Sequence, residues 1–340
     1  MQILTDAPLI AFNTFGLQAR AAKLVVLESV NDLPAIPELV RNNPAFFPLG
    51  GGSNVLFAED YQGLILQNAL KGKVLTETED AYHLRVMGGE SWPQLVDWTL
   101  QEGLGGLENL ALIPGTAGAA PIQNIGAYGL EFADRCEYVE YLDLTTGDIQ
   151  QLNKEECQFG YRDSVFKQAL QGKVLITAVG LYLPKPWQAV LAYAPLSQLP
   201  ENNLTPQTVA DCVKSARRSK LPDPKLLGNA GSFFKNPTLS QADFAEISRQ
   251  YSNVPGYPTT EGQVKIAAAW LIDQAGWKGK KLGAAGVHHQ QALVLVNHGQ
   301  AKAEELLSLA RQIRDDVKNK FGVTLTPEVR LIGQTGEISL

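Results

Sequence analysis

The stretch Ile113-Pro114-Gly115-Thr116-Ala117-Gly118-Ala119-Ala120-Pro121-Ile122-Gln123-Asn124-Ile125-Gly126-Ala127-Tyr128-Gly129 constrains the fold more than any other part of the chain. It is nearly free of charge and consists mostly of small residues, so it cannot be the surface of a helix. Such backbone suits close packing against a flat, partly polar ring that it hydrogen-bonds with its own amides, because buried N–H and C=O groups need partners. A loop threaded between domains has the same composition, so the stretch alone names no ligand. A second segment, Leu49-Gly50-Gly51-Gly52-Ser53-Asn54-Val55-Leu56, follows the apolar Phe46-Phe47-Pro48. Three glycines without Cβ atoms let successive N–H groups curl around a pyrophosphate. A tight turn after a strand is the plainer alternative. No Lys-Ser/Thr pair follows, so this is not a Walker A loop, and no GxGxxG follows a strand elsewhere. Together the two loops point toward a dinucleotide more strongly than either does separately.

Around these loops the pattern is mixed. Strands are expected at residues 23–27, 84–87, 138–144, 174–183, 292–296 and 328–332, with Thr145-Thr146-Gly147 turning a hairpin between 138–144 and 148–152. Thr205-Pro206 supplies an N-cap and first-turn proline for a helix that puts Val209, Cys212, Val213 and Ala216 on one face and ends at Leu221-Pro222-Asp223-Pro224. A last helix carries Leu306, Leu307, Ala310, Ile313 and Val317, with Gly322 as its stop. Hairpins and helices alternate without a regular βαβ rhythm, so the expected class is α+β rather than a doubly wound parallel sheet. With 340 residues, more than one domain is expected, with joints near Lys71-Gly72 and near residues 221–224.

Charge and cysteine usage narrow the partners. A formal charge of −6 argues against nucleic-acid binding, so an anionic ligand must meet a local basic cluster, and Lys214, Arg217, Arg218, Lys220 and Lys225 form one. Cations in a last helical turn also serve the helix dipole. Cys136, Cys157 and Cys212 have neither disulfide-framework nor zinc-site spacing. His288-His289 are expected to point oppositely on a strand, with no third ligand, so no metal is assigned. The first residues carry no basic or apolar targeting pattern, and no apolar run approaches a membrane span. A soluble cytoplasmic protein with no membrane, nucleic-acid or obligate protein partner is expected.

Three further segments offer reactive side chains. Gly160-Tyr161-Arg162-Asp163-Ser164 presents an arginine in a context suited to bidentate carboxylate recognition. Asn229-Ala230-Gly231-Ser232-Phe233-Phe234-Lys235-Asn236-Pro237 presents one serine, without the G-x-S-x-G elbow of a hydrolase. Pro327-Glu328-Val329-Arg330 is expected to put Glu328 and Arg330 on one side of a strand, as an ion pair or as a functional carboxyl.

In order along the chain, Asn13-Thr14-Phe15-Gly16, Gly50 to Asn54, Pro121 to Gly129, Gly160 to Ser164, Asn229 to Pro237 and Pro327 to Arg330 resemble the UDP-N-acetylenolpyruvoylglucosamine reductase family over nearly the whole length. Tyr193, in Ala189-Val190-Leu191-Ala192-Tyr193, resembles the loop tyrosine of the family's long form, type I, which folds over bound substrate. The resemblance implies an FAD-binding domain of the vanillyl-alcohol-oxidase (PCMH) type with a separate α+β substrate domain. The implied bounds are 1–71 joined by 321–340, then 72–220, and a substrate domain at 221–320. It implies FAD as cofactor and NADPH as co-substrate in reducing an enolpyruvyl ether of a UDP-sugar.

By the same resemblance Arg162, Ser232 and Glu328 are the catalytic residues, with Arg162 and Glu328 on the carboxylate and Ser232 as proton donor. FAD contacts are expected at Gly50, Gly51, Gly52, Ser53, Asn54, Gly115, Gln123, Asn124, Gly126, Ala127, Tyr128 and Gly129, and substrate contacts at Tyr193, Arg217, Lys220, Asn236 and Gln291. The chain departs from the pattern at Ala119-Ala120, where relatives often have serines; backbone donors of the same loop can replace such a hydroxyl. A flavin oxidase of the same fold and a non-catalytic nucleotide-sugar binder are the competing readings.

Overall fold

The computed structural model describes residues 1–200, 202–259 and 261–340. The chain forms two compact units, the first from Met1–Ala7, Ala21–Gly52 and Gln62–Ser219, the second from Pro8–Arg20, Ser53–Tyr61 and Lys220–Leu340.

The first unit is built on an antiparallel sheet in the order Ile149–Asn153, Cys136–Asp143, Val174–Pro184, Ala81–Met87 and Lys73–Glu77. Val174–Pro184 takes the centre because it is apolar almost throughout, as a strand covered on both faces must be. Its Leu175 and Ala178 join Val25, Leu27, Leu64 and Leu66 in one core, whereas Val174, Ile176 and Val179 join Trp92, Leu95 and Val209 in another. Edge strand Lys73–Glu77 is exposed throughout and offers charged residues at both ends, which discourages pairing with another chain. Gly180 lacks a Cβ because one there would lie 2.3 Å from the Tyr138 ring.

A second sheet of this unit runs in the order Gln2–Pro8, Arg20–Leu27, Tyr61–Asn68 and Phe46–Leu49, the last pair parallel. The 138–144 and 148–152 hairpin forms as expected, and so does the helix Pro206–Lys220, where Thr205 Oγ1 accepts from Thr208 N at 3.1 Å. Its buried face is Val209, Ala210 and Val213; Cys212 and Ala216, expected there, are only half-buried. The α+β class follows from sheets that are largely antiparallel and carry helices without a regular βαβ alternation.

The second unit packs the helix Ala303–Phe321 over the sheet Gly228–Ser232, Val294–Asn297, Ala285–Val287 and Lys281–Leu282. Leu306, Leu307, Ala310, Ile313 and Val317 are all buried, and Gly322 ends the helix at φ +71°, the left-handed conformation glycine adopts without a Cβ penalty. Strand Arg330–Ile332 pairs in parallel with Val55–Phe57. It starts later than the sequence pattern suggests, leaving Glu328 ahead of it; Arg330 pairs with Glu337 at 3.0 Å. His288 and His289 also depart from expectation. They follow the strand Ala285–Val287 where the chain bends, so their ring centres lie 4.5 Å apart instead of alternating across a sheet. No helix among the described residues is long and apolar enough to cross a membrane.

Candidate functional site

Strand Phe46–Leu49 ends in Gly50, Gly51 and Gly52, and within the first unit these glycines meet the charge-poor segment. A Cβ on Gly50 would stand 2.8 Å from Thr116 Oγ1 and 3.3 Å from Ala119 Cβ; one on Gly51 would stand 3.3 Å from Gly115 Cα. Only glycine permits that approach. The partner loop is tied to the end of strand Ala81–Met87, with Ala117 N donating to Glu90 O and Gly118 N to Gly88 O, both at 2.8 Å. Gly115 O accepts from Trp92 N at 3.0 Å, which starts the helix Trp92–Gln101 beside it.

At this meeting point Thr116 Oγ1 is buried without a hydrogen-bond partner within the chain. A buried hydroxyl left so costs about 1–3 kcal/mol, a cost removed by a ligand oxygen or nitrogen. The features fit FAD: a cradle of backbone that any Cβ would fill, and a hydroxyl waiting for a polar ligand atom. Thr116 escapes a sequence reading that concentrates on glycines and amides, although it is the one aliphatic hydroxyl between Ile113 and Gly129. Ala119 faces Gly50, where a serine would have offered a hydroxyl, so Thr116 supplies the nearby polar side chain. Gly50→Ala is expected to weaken FAD about tenfold, the cost of forcing a methyl into a filled space. Flavin absorbance of the purified variant and titration of its apoprotein measure this.

The rest of the loop is organised around Asn124, buried at φ +43°. Its Nδ2 donates to Glu131 Oε2 at 2.7 Å and to Gly160 O at 3.1 Å, and its Oδ1 accepts from Ala133 N at 2.9 Å. Asn124 therefore shapes the loop and fastens it to the Arg162 motif rather than aiming its amide at a ligand. Gly160 and Asp163 exchange backbone bonds of 3.0 and 3.3 Å around Tyr161-Arg162, and Arg162 takes the left-handed φ of +56°. Non-glycine residues held there carry about 1–3 kcal/mol of strain and cluster at functional sites. Arg162 Nη2 donates to Gly126 O at 3.0 Å, its Nη1 reaches Asn124 O at 3.5 Å, and the guanidinium carbon lies 5.2 Å from the centre of the Tyr161 ring. The arginine is thus fixed in plane against the charge-poor loop.

Other expected substrate residues of this unit gather near Tyr128. Burial disfavours the charge on Arg217, and its electrostatic neighbour is the Tyr128 phenol rather than a carboxylate. Burial likewise pushes the Tyr128 hydroxyl up, with Arg217 opposing it. Lys214, counted in the same basic cluster, is spent on Asp97 at 2.6 Å. Tyr193 is 54% exposed, with its ring against Gly129: a Cβ there would meet Tyr193 Cδ2 at 3.0 Å.

The second unit brings together Asn54, Ser232 and Glu328. Phe233 O accepts from Glu328 N at 2.8 Å and Lys235 N donates to Thr326 O at 2.9 Å, so the residues after Ser232 run against those flanking Glu328. Asn54 Nδ2 donates to Glu328 O at 3.1 Å, so this amide holds the carboxyl-bearing backbone. Ser232 stands at the end of Gly228–Ser232 beyond a bulge in which Gly231 takes φ +71°; such bulges re-aim a side chain. Asn236 Oδ1 accepts from Ala268 N at 3.0 Å and starts the helix Ala268–Gln274. Gln291 N donates to His288 Nδ1 at 3.3 Å, and Lys220 is exposed at the end of its helix.

Two family models match parts of the chain: an FAD binding domain matches residues 21–153, and the C-terminal domain of UDP-N-acetylenolpyruvoylglucosamine reductase matches residues 223–332. Curated proteins named UDP-N-acetylenolpyruvoylglucosamine reductase resemble it end to end. That of Vibrio cholerae is 50% identical over 100% of this chain and 98% of its own, and that of Shewanella sediminis 48% identical over 100% and 99%. Among solved structures, the MurB reductase of Thermus caldophilus superposes with a TM-score of 0.67 at 26% identity, over 97% of this chain and 98% of its own. The glycine cradle thus falls inside the span of one family model, the Ser232 and Glu328 pair lies inside the span of the other, and near-half identity runs through both: the chain belongs to the UDP-N-acetylenolpyruvoylglucosamine reductase family.

Proposed function

We propose that this protein reduces the enolpyruvyl ether of UDP-N-acetyl-3-O-(1-carboxyvinyl)glucosamine to UDP-N-acetylmuramate with NADPH, a step of peptidoglycan precursor biosynthesis in the cytoplasm. The observation that carries the reading is the end-to-end identity of about half the residues with reductases of that name. FAD, when bound, supplies hydride transfer between NADPH and the β-carbon of the enolpyruvyl group. Gly50–Gly52 and Gly115–Gly129 hold it through backbone, with Thr116 as the hydroxyl of the cradle.

The side chains must then manage charge and a proton. Hydride arrival at the β-carbon leaves an electron pair on the α-carbon, shared with the substrate carboxylate. Arg162, fixed in plane by two carbonyls, binds that carboxylate with little further ordering, and Glu328 polarises it as charge develops. Ser232 gives its proton to the α-carbon. A serine hydroxyl is a weak acid, but an enolate is a strong enough base to take its proton, so no histidine or cysteine is required. Arg217, Lys220, Tyr193, Asn236 and Gln291 serve the UDP portion. For Arg217 the support is its partly desolvated charge, which an anionic group would neutralise. For Asn236 it is an amide whose oxygen is already committed, leaving an N–H₂ donor end for phosphate. The two sheets of the first unit support a division at residues 71 and 72, and the pairing of Arg330–Ile332 with Val55–Phe57 supports the return of the C-terminal residues to the N-terminal segment.

Anaerobic addition of NADPH is expected to bleach the bound flavin, and subsequent addition of the enolpyruvyl nucleotide to restore its colour. Rapid peroxide formation in air with no response to that nucleotide would instead identify an oxidase and overturn the reading.

A further inference from the structure

Two polar residues interrupt the apolar run between Leu104 and Ile113, and the reaction outlined above uses neither: Glu108, 2% exposed, and Asn109, 0% exposed, between the fully buried Leu107 and Leu110. Burying such groups is costly unless their hydrogen bonds are made, so the bonds they make indicate what they are for. Glu108 Oε1 accepts from Trp187 Nε1 at 2.7 Å, and Oε2 from Gly106 N at 2.6 Å. Asn109 Nδ2 donates both of its hydrogens, to Val190 O and to Tyr128 O, each at 2.8 Å. Gly105 lets the Trp187 ring lie against the backbone, since a Cβ there would stand 2.3 Å from Trp187 Cδ1.

Trp187 and Val190 both precede Tyr193 in the segment that leaves the central strand Val174–Pro184, and Tyr193 itself is exposed. The segment is therefore fastened at two points just before the tyrosine. Gly129 adds a third contact, because a Cβ there would stand 3.0 Å from Tyr193 Cδ2 and 3.4 Å from Val190 Cγ1, and its absence makes room for both side chains. Asn109 is the shared element: one amide grips the carbonyl of Tyr128, in the charge-poor loop, and that of Val190, in the tyrosine segment.

We propose that Glu108 and Asn109 are positioning residues for Tyr193, and that Asn109 makes the placement of Tyr193 depend on the charge-poor loop that seats the flavin. The proposal rests on the reading of Tyr193 as a substrate contact. It acts on nucleotide binding and leaves the reacting groups untouched, so its signature is a split between affinity and chemistry.

The FAD-loaded variants Asn109→Ala, Tyr193→Ala and their combination test it. Each is titrated with the enolpyruvyl nucleotide by flavin absorbance, then reduced with dithionite and mixed with the same nucleotide at saturation. Asn109→Ala is expected to raise the dissociation constant about tenfold, with the saturated re-oxidation rate within about twofold of wild type. The combined variant is expected to bind no more weakly than Tyr193→Ala alone, since residues acting through one group are not additive. Additive losses, or an unchanged dissociation constant in Asn109→Ala, overturn the proposal. If Asn109→Ala retains no FAD, Trp187→Phe carries the same comparison, keeping an aromatic side chain and removing the N–H, with a rise of about threefold expected. Wild-type protein that neither binds nor is re-oxidised by the nucleotide sinks the functional reading and the anchoring with it; normal wild-type behaviour with additive losses sinks the anchoring alone.

Discussion

Ser232→Ala is expected to leave flavin reduction by NADPH near the wild-type rate and to slow re-oxidation by the enolpyruvyl nucleotide by roughly 10²–10⁴-fold, the range a positioned proton donor contributes. The two half-reactions separate because hydride transfer from NADPH needs no proton at the substrate α-carbon, whereas completion of the lactyl ether does. Ser232 stands beyond a bulge at a strand end, and alanine keeps that backbone because the strained residue is Gly231, at φ +71°. Ser232→Cys retains a transferable proton and is expected to fall between alanine and wild type. Stopped-flow absorbance of each half-reaction decides the matter, and equal re-oxidation rates for wild type and Ser232→Ala would remove the serine from the proton-transfer step.

Arg162→Lys is the second large effect, with kcat/KM for the enolpyruvyl nucleotide expected to drop roughly 10- to 100-fold at unchanged FAD content. An ammonium cannot reproduce the planar fork that presents paired N–H groups to a carboxylate. Nor can it reach both Asn124 O and Gly126 O while facing a substrate, so it loses the orientation those bonds give the guanidinium. The left-handed φ of +56° strains lysine as it strains arginine, so backbone conformation does not confound the comparison. Steady-state kinetics combined with flavin absorbance separates the outcomes. A loss of FAD, or an equal loss in the NADPH half-reaction, would mean that Arg162 serves the flavin loop instead of the carboxylate.

The regular elements were legible where a single periodicity decided them. Residues 306–317 of the last helix carry their apolar stripe on a sequence with its own glycine stop, and the structure buries that stripe. Val174–Pro184 reads as a buried strand because nearly every position is apolar. Legibility failed where burial on a single face depended on distant partners. Cys212 gave way to Ala210 in the helix Pro206–Lys220, and Glu328 fell outside its strand because its N–H is taken by Phe233 O, a pairing no local pattern encodes. The His288 and His289 ring centres lie 4.5 Å apart because the strand stops at Val287, one residue before them.

The sequence by itself determined the material of the site: two loops whose missing side chains leave backbone to bind a ligand, and an ordered set of motifs specific enough to indicate the reductase family. Tertiary structure decided how those residues are spent. Asn54 and Asn124, both eligible to touch a flavin, hold the Glu328 and Gly160 carbonyls; Lys214 left the basic cluster for Asp97; and Thr116, unremarkable in sequence, brings to the cradle a buried hydroxyl without a partner in the chain. The physical reason is that composition and φ preference are properties of a residue and its neighbours, whereas a hydrogen bond, once buried, belongs to whichever partner the fold delivers.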